Sequence, residues 1–309
     1  MKKLLVSIAA LFAAAAMLSA QSMAEATETA QLANESLGAG NYETALAGFQ
    51  EALKMAEACG DEGIELVATC KDIIPKTMNA IAKQLLQDDK LDEAIAKLGE
   101  TVAVANEYGD EETAEKAQNL IPQVYMKKAG GQLNAKEFEA AAETYAKVLE
   151  LQPANGVAAL RYGMALENAN KDAEAIEAYK LAAANGQEKN ANSQLGKFYL
   201  KRSVENLKAK KYADAVNDAN ASFELVSNPQ ALQVAGQASQ LGGKNTEAIK
   251  YFEQYLEAAP NAKNAGQIAY TVGALYQQAK NNAKAKEFFS KAVSDPKYGA
   301  DAQKALKAL

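Results

Sequence analysis

The chain has 309 residues, with 33 Lys and Arg against 39 Asp and Glu, no histidine, no tryptophan and two cysteines, for a formal net charge of −6. An acidic chain without a basic tail argues against nucleic-acid binding. The lack of histidine removes the commonest general base and metal ligand, and two cysteines make no zinc cluster, so no catalytic, cofactor-binding or metal-binding residue is assigned.

The first segment, residues 1–24, reads "MKKLLVSIAALFAAAAMLSAQSMA". Lys2 and Lys3 precede an apolar run from Leu4 to Leu18, followed by small residues. That is the pattern of a secretory signal peptide, cut after Ala20 or Ala24. The run is too short and too alanine-rich for a stable membrane span, and no later stretch is apolar enough to replace it. The expected product is exported, most simply periplasmic, and without a membrane span. Losing Lys2 and Lys3 takes the formal charge from −6 to −8.

From residue 25 onward the apolar residues recur at helical spacing. In "NYETALAGFQEAL", residues 41–53, Tyr42, Ala45, Leu46, Phe49, Ala52 and Leu53 step by three and four, so they share one helix face. Gly40 and Asn41 before them suit a tight turn. The same pattern recurs around Ala94, Ala141, Ala175, Ala215, Ala248 and Ala285, each time after another apolar helical segment. Several preceding segments place a small residue where two helices would cross: Ala33, Ala82, Ala129, Gly163, Gly236 and Gly273. Alanine or glycine at such a crossing lets the helix axes approach, and a larger side chain would overpack it.

The cysteines fall in the first two copies. Cys59 closes one helix and Cys70 lies about two turns into the next, roughly 12 Å along its axis. A disulfide needs Cα atoms within about 7 Å, so two buried thiols are expected instead.

Proline placement follows the same division. Pro229 would open a first helix, while Pro153, Pro260 and Pro296 would end second helices. Pro75 and Pro122 admit two readings. The simpler is an elongated first helix kinked at the proline; the other puts a short separate helix before each, with the proline opening the first helix proper.

The repeated pattern resembles the tetratricopeptide repeat, a helix–turn–helix unit of about 34 residues. The resemblance runs from about residue 26 to 296. It is clearest in "TVGALYQQAKNNAKAKEFFSKAVSDP", which carries the small residue, the aromatic, the alanine, the phenylalanine and the late proline. It implies an all-α, right-handed superhelical solenoid of about seven antiparallel helix pairs. Residues 25–155 form a half of long repeats, 156–296 a half of further repeats, and 297–309 a capping helix that covers the last repeat with Leu306 and Leu309. "LENANKD" and "AANGQEKNANS" are the turn-like candidates for a hinge between the halves, with one continuous superhelix preferred.

In this family the first helices line a concave groove. On seven first helices of fourteen residues, nine side chains are basic and five acidic, a net +4 in a mature chain of −8. The resemblance therefore implies a groove for a protein or peptide partner, and the charge favours an acidic one. Lys76, Asn79, Lys83, Lys127, Arg161, Lys197 and Lys201 would carry the basic part. Gln233, Gln237 and Tyr270, with Gln230, Gln240 and Gln277, would make a neutral polar part. Some relatives hold a terminal carboxylate with a Lys–Asn–Asn–Lys–Arg set; only Asn34 has a counterpart here, so that activity is not implied. The expected function is a non-enzymatic scaffold or adaptor of the cell envelope. The alternative is an accessory binding protein for a glycan or other small ligand.

Overall fold

The computed structural model describes residues 22–309. The export signal expected over residues 1–24 lies outside them, apart from its last three residues, which are helical. Every regular element among the described residues is a helix.

The chain divides into two compact units between Asn170 and Lys171, inside the stretch "LENANKD". The first unit holds α1 (residues 22–38), α2 (Tyr42–Ala58), α3 (Ile64–Gln87), α4 (Leu91–Tyr108), α5 (Glu111–Asn134), α6 (Phe138–Leu151) and α7 (Gly156–Asn168). The second holds α8 (Asp172–Ala182), α9 (Glu188–Lys208), α10 (Tyr212–Val226), α11 (Pro229–Leu241), α12 (Asn245–Ala258), α13 (Ala265–Gln278), α14 (Asn282–Ala292) and α15 (Gly299–Lys307).

Neighbouring helices pack in sequence order, α3 on α4 and α5 on α6 in the first unit, α9 on α10, α11 on α12 and α13 on α14 in the second. Short turns join them, which makes the paired helices antiparallel. The first helices also meet one another, α3 with α5 and α9 with α11. Each unit is thus a tandem stack in which first helices form one layer and second helices the next.

The repeated alanines lie inside that stack. Ala45, Ala94, Ala141, Ala175, Ala215, Ala248 and Ala285 all have 0 % exposure. Four residues on from six of them comes a bulky wedge: Phe49, Leu98, Tyr145, Tyr179, Phe252 and Phe289, all buried. The glycines predicted at crossings sit under two of these wedges. A Cβ on Gly236 would stand 2.5 Å from the Phe252 ring, and one on Gly273 2.7 Å from the Phe289 ring.

The fifth copy departs from this rule. Its wedge position is Ala219. Beside it, Asp218 is buried and accepts hydrogen bonds from Arg202 Nε at 2.9 Å, Arg202 Nη2 at 2.5 Å and Asn206 Nδ2 at 2.9 Å. A bidentate ion pair ties α9 to α10 where other copies use a bulky apolar side chain.

The turn inside every pair has one backbone form. The residue two places before each second helix is left-handed: Gly40, Asp89, Lys136, Asn170, Lys210, Gly243 and Lys280, with φ between 57° and 79°. In six of the seven the next amide reaches back to a carbonyl five residues earlier, as from Asn41 to Ser36, Glu137 to Gln132 and Asn281 to Tyr276. This bond closes a Schellman motif and satisfies the last carbonyls of the first helix.

Pro75 and Pro122 lie inside the 24-residue helices α3 and α5. The elongated helix is therefore the arrangement adopted, and neither proline opens a helix. Pro229 does stand at the first position of α11, capped by the Asn228 side chain. Both cysteines are free thiols. Cys70 is buried, and burial pushes its thiol pKa up. Cys59 is only half-buried and donates to the Met55 carbonyl at 3.3 Å, so the expectation of two buried thiols holds for Cys70 alone. The C-terminal helix α15 packs on α14, and Leu306 and Leu309 rest on the apolar core of the last repeats.

Candidate functional site

The first helices were expected to present the partner-binding side chains. In the first unit, Lys76 is occupied by its own helix, paired with Asp72 at 2.5 Å. Lys127 reaches from α5 to Asp89 at 2.8 Å, and Lys128 pairs with Asp92. Asn79 is 7 % exposed, and no hydrogen bond is made by its buried Oδ1 among the described residues. Lys83 and Arg161 are exposed and appear in no ion pair among the described residues. Arg161 Nη1 and the Tyr145 hydroxyl flank Gly130, 3.6 and 3.9 Å from where its Cβ would stand.

In the second unit the geometry is more concentrated. Lys197, Lys201, Val204 and Lys208 follow one face of α9 at i, i+4, i+7 and i+11. With Leu200, Glu205 and Gln230 they line a shallow cavity of about 340 Å³ between α9 and the start of α11. Leu200 and Val204 pack their inner sides on the α10–α11 core, so the floor is apolar and anchored. Three lysines and one glutamate leave this face a net charge of +2, and none of the three lysines enters an ion pair among the described residues. Arg202, next in sequence to Lys201, turns the other way and is held by Asp218. The Asp218 hydrogen bonds drive the Arg202 pKa upward, so its charge is fixed but structural.

The neutral residues form a different arrangement. Gln233 accepts a hydrogen bond from Asn264 Nδ2 at 3.1 Å, and Asn264 Oδ1 accepts one from the Tyr255 hydroxyl at 2.5 Å. Tyr270 stacks on Tyr298 at 5.4 Å and tilts against Phe289 at 5.5 Å. Tyr270 and Gln233 thus serve the joint between repeats. Gln237 lies one turn beyond Gln233 on α11 and is half-buried.

The cavity brings together Lys197, Lys201, Lys208 and Gln230. Sequence reasoning missed the apolar floor of Leu200 and Val204, although their position between lysines of one helix face carried the signal. Among the described residues there is no cluster of three or more metal-ligating side chains, and no helix is long and apolar enough to cross a membrane.

Residues 229–262, spanning α11, α12 and the turn after them, match the family model for the tetratricopeptide repeat. A search of curated proteins gave no match. Among solved structures, the MamA protein is similar at 18 % identity over 59 % of this chain and 96 % of its own, with a TM-score of 0.37. YrrB, described as a TPR protein with an unusual peptide-binding site, is similar at 22 % identity over 65 % of this chain and 97 % of its own, with a TM-score of 0.36. PilF of Pseudomonas aeruginosa is similar at 18 % identity over 60 % and 81 %, with a TM-score of 0.32. The matched segment resembles a tetratricopeptide repeat, and the helix pairs on either side of it repeat its alanine crossings and left-handed turn.

Proposed function

We propose that the chain is a non-enzymatic scaffold that binds an acidic, extended protein segment along α9. The observation that supports this most is the row of unpaired lysines over an apolar floor. Lys197 and Lys201 stand about 6 Å apart along the helix axis, at 1.5 Å per residue. Two residues of an extended peptide span about the same distance, at roughly 3.3 Å each. An acid-x-acid segment would set both carboxylates opposite both lysines, with its intervening side chain near Leu200 and Val204.

Each exposed ion pair contributes only about 0.2–1 kcal/mol, so affinity needs several of them together with the apolar floor. Lys83 and Arg161 offer further positive charge in the first unit. The segment over residues 1–24 supports export, most simply to a periplasm, and so a partner in the cell envelope.

The test is an affinity capture from envelope extract with the wild-type protein and with Lys197→Glu/Lys201→Glu, compared by mass spectrometry. The proposal expects an acidic protein captured by the first and lost with the second. A partner retained equally by both would place binding elsewhere.

A further inference from the structure

The second unit carries another cavity, on the opposite layer from the lysine row. It has a volume of about 540 Å³ and lies between the second helices α10 and α12, floored by the end of α11. That volume is within the range of small-molecule sites, about 300–1,000 Å³. Two tyrosines line it, Tyr212 from α10 and Tyr251 from α12. Tyr251 is fixed in place, because its hydroxyl accepts a hydrogen bond from Asn220 Nδ2 at 2.8 Å. In that bond Asn220 uses an amide donor and Tyr251 an acceptor lone pair, so the Asn220 carbonyl oxygen and the Tyr251 hydroxyl proton are not consumed by it.

Its charges cancel. Lys244 and Glu247 lie 3.4 Å apart at its rim. The floor holds an anomaly: Ser239 is 1 % exposed, and its hydroxyl makes no hydrogen bond among the described residues. Buried hydroxyls nearly always have partners, since an unmade bond costs the full desolvation of the group. A small residue packing at this point would ordinarily be alanine, as Ala238 beside it is.

We infer that this cavity binds a small neutral sugar. A pyranose ring has an apolar C–H face that rests on an aromatic ring and an edge of hydroxyls that pair with amides and hydroxyls. The cavity supplies the first in Tyr212 and Tyr251, and the second in Asn217 and Asn220. An ionic ligand finds no uncompensated charge here. The inference stands independently of the acidic partner proposed for α9.

The experiment is saturation-transfer NMR of the full chain with glucose, N-acetylglucosamine and cellobiose, followed by titration of any that binds. Transfer to ring C–H protons is expected for at least one. Tyr251→Ala should weaken that sugar at least tenfold. Asn217→Ala and Asn220→Ala should weaken it several-fold, whereas Ser239→Ala, which removes a buried hydroxyl without a partner, should leave the melting temperature unchanged or raised. Lys197→Glu/Lys201→Glu should leave sugar affinity unchanged, which separates this site from the α9 groove. No transfer from any of the three sugars, or an affinity insensitive to both Asn217→Ala and Asn220→Ala, would overturn it.

Discussion

Glycine has two opposite roles in this chain, and the neighbouring atoms decide which applies. Gly236 lies under Phe252, which is 1 % exposed and cannot move aside. A methyl there gains about 1 kcal/mol of helix propensity but overpacks a core contact at roughly 1–3 kcal/mol. Gly236→Ala should therefore lose up to about 2 kcal/mol in chemical denaturation. Gly99, inside α4, has nothing within 4 Å of its Cβ position. Gly99→Ala should gain about 0.5–1 kcal/mol. The crossing role of Gly236 and Gly273 was legible, because each falls at the same offset before its repeat's alanine. The direction of Arg202 was not. Lys201 and Arg202 are adjacent and point about 100° apart on one helix, so which one faces solvent depends on where Asp218 lies on α10.

Titration at one surface position has a sign that geometry fixes. Glu287 on α14 accepts hydrogen bonds from Lys291 at 2.8 Å and Lys284 at 2.9 Å. These bonds hold its pKa down to about 2. The folded value lies below the ordinary glutamate value of about 4.3. Its contribution is therefore complete above that pH and disappears as pH falls through about 2. An NMR titration should find the low midpoint, and Lys284→Ala/Lys291→Ala should return it toward the ordinary range.

Elements are joined by the seven left-handed turn residues, only two of which are glycine. A lysine in that conformation is strained by roughly 1–2 kcal/mol. Lys136 is exposed. Lys136→Gly should relieve the strain and, after the larger unfolded-state entropy of glycine, raise stability by about 0.5–1 kcal/mol. Sequence reading found the turns at Gly40 and Asn41 but could not find Lys136 or Lys280, since lysine has no left-handed preference of its own. Interior prolines were ambiguous for a related reason. Pro75 and Pro122 each remove a backbone donor and strain the preceding turn at about 3 kcal/mol, yet both are buried among packed helices that hold α3 and α5 continuous. The tie between α9 and α10 is stronger than any surface pair. Asp218→Ala leaves Arg202 without its carboxylate and should cost about 2–3 kcal/mol. Asp92→Ala, which removes an exposed pair with Lys128, should cost less than about 1 kcal/mol.

At the scale of the molecule, tandem helix pairs explain why so much was legible. Each pair rests on its neighbours, so each copy must repeat the same small residue and the same apolar step, and the repetition stands out from one sequence. The proposed binding site is less legible because lysines serve two purposes. Lys76, Lys127 and Lys128 pair with acids of their own unit, whereas Lys197, Lys201 and Lys208 remain unpaired over Leu200 and Val204. Composition treats all six alike; only the fold separates them.

The α9 lysine row as a docking surface is the central claim, and the most direct measurement is the affinity of a fluorescent peptide of alternating glutamates as a function of salt. With a Debye length of about 8 Å at 0.15 M ionic strength, the wild-type protein should bind more weakly as salt rises. Lys197→Glu/Lys201→Glu should abolish binding at low salt, and Lys76→Glu should change it little. Affinity that ignores salt, or that survives reversal of Lys197 and Lys201, would contradict the account.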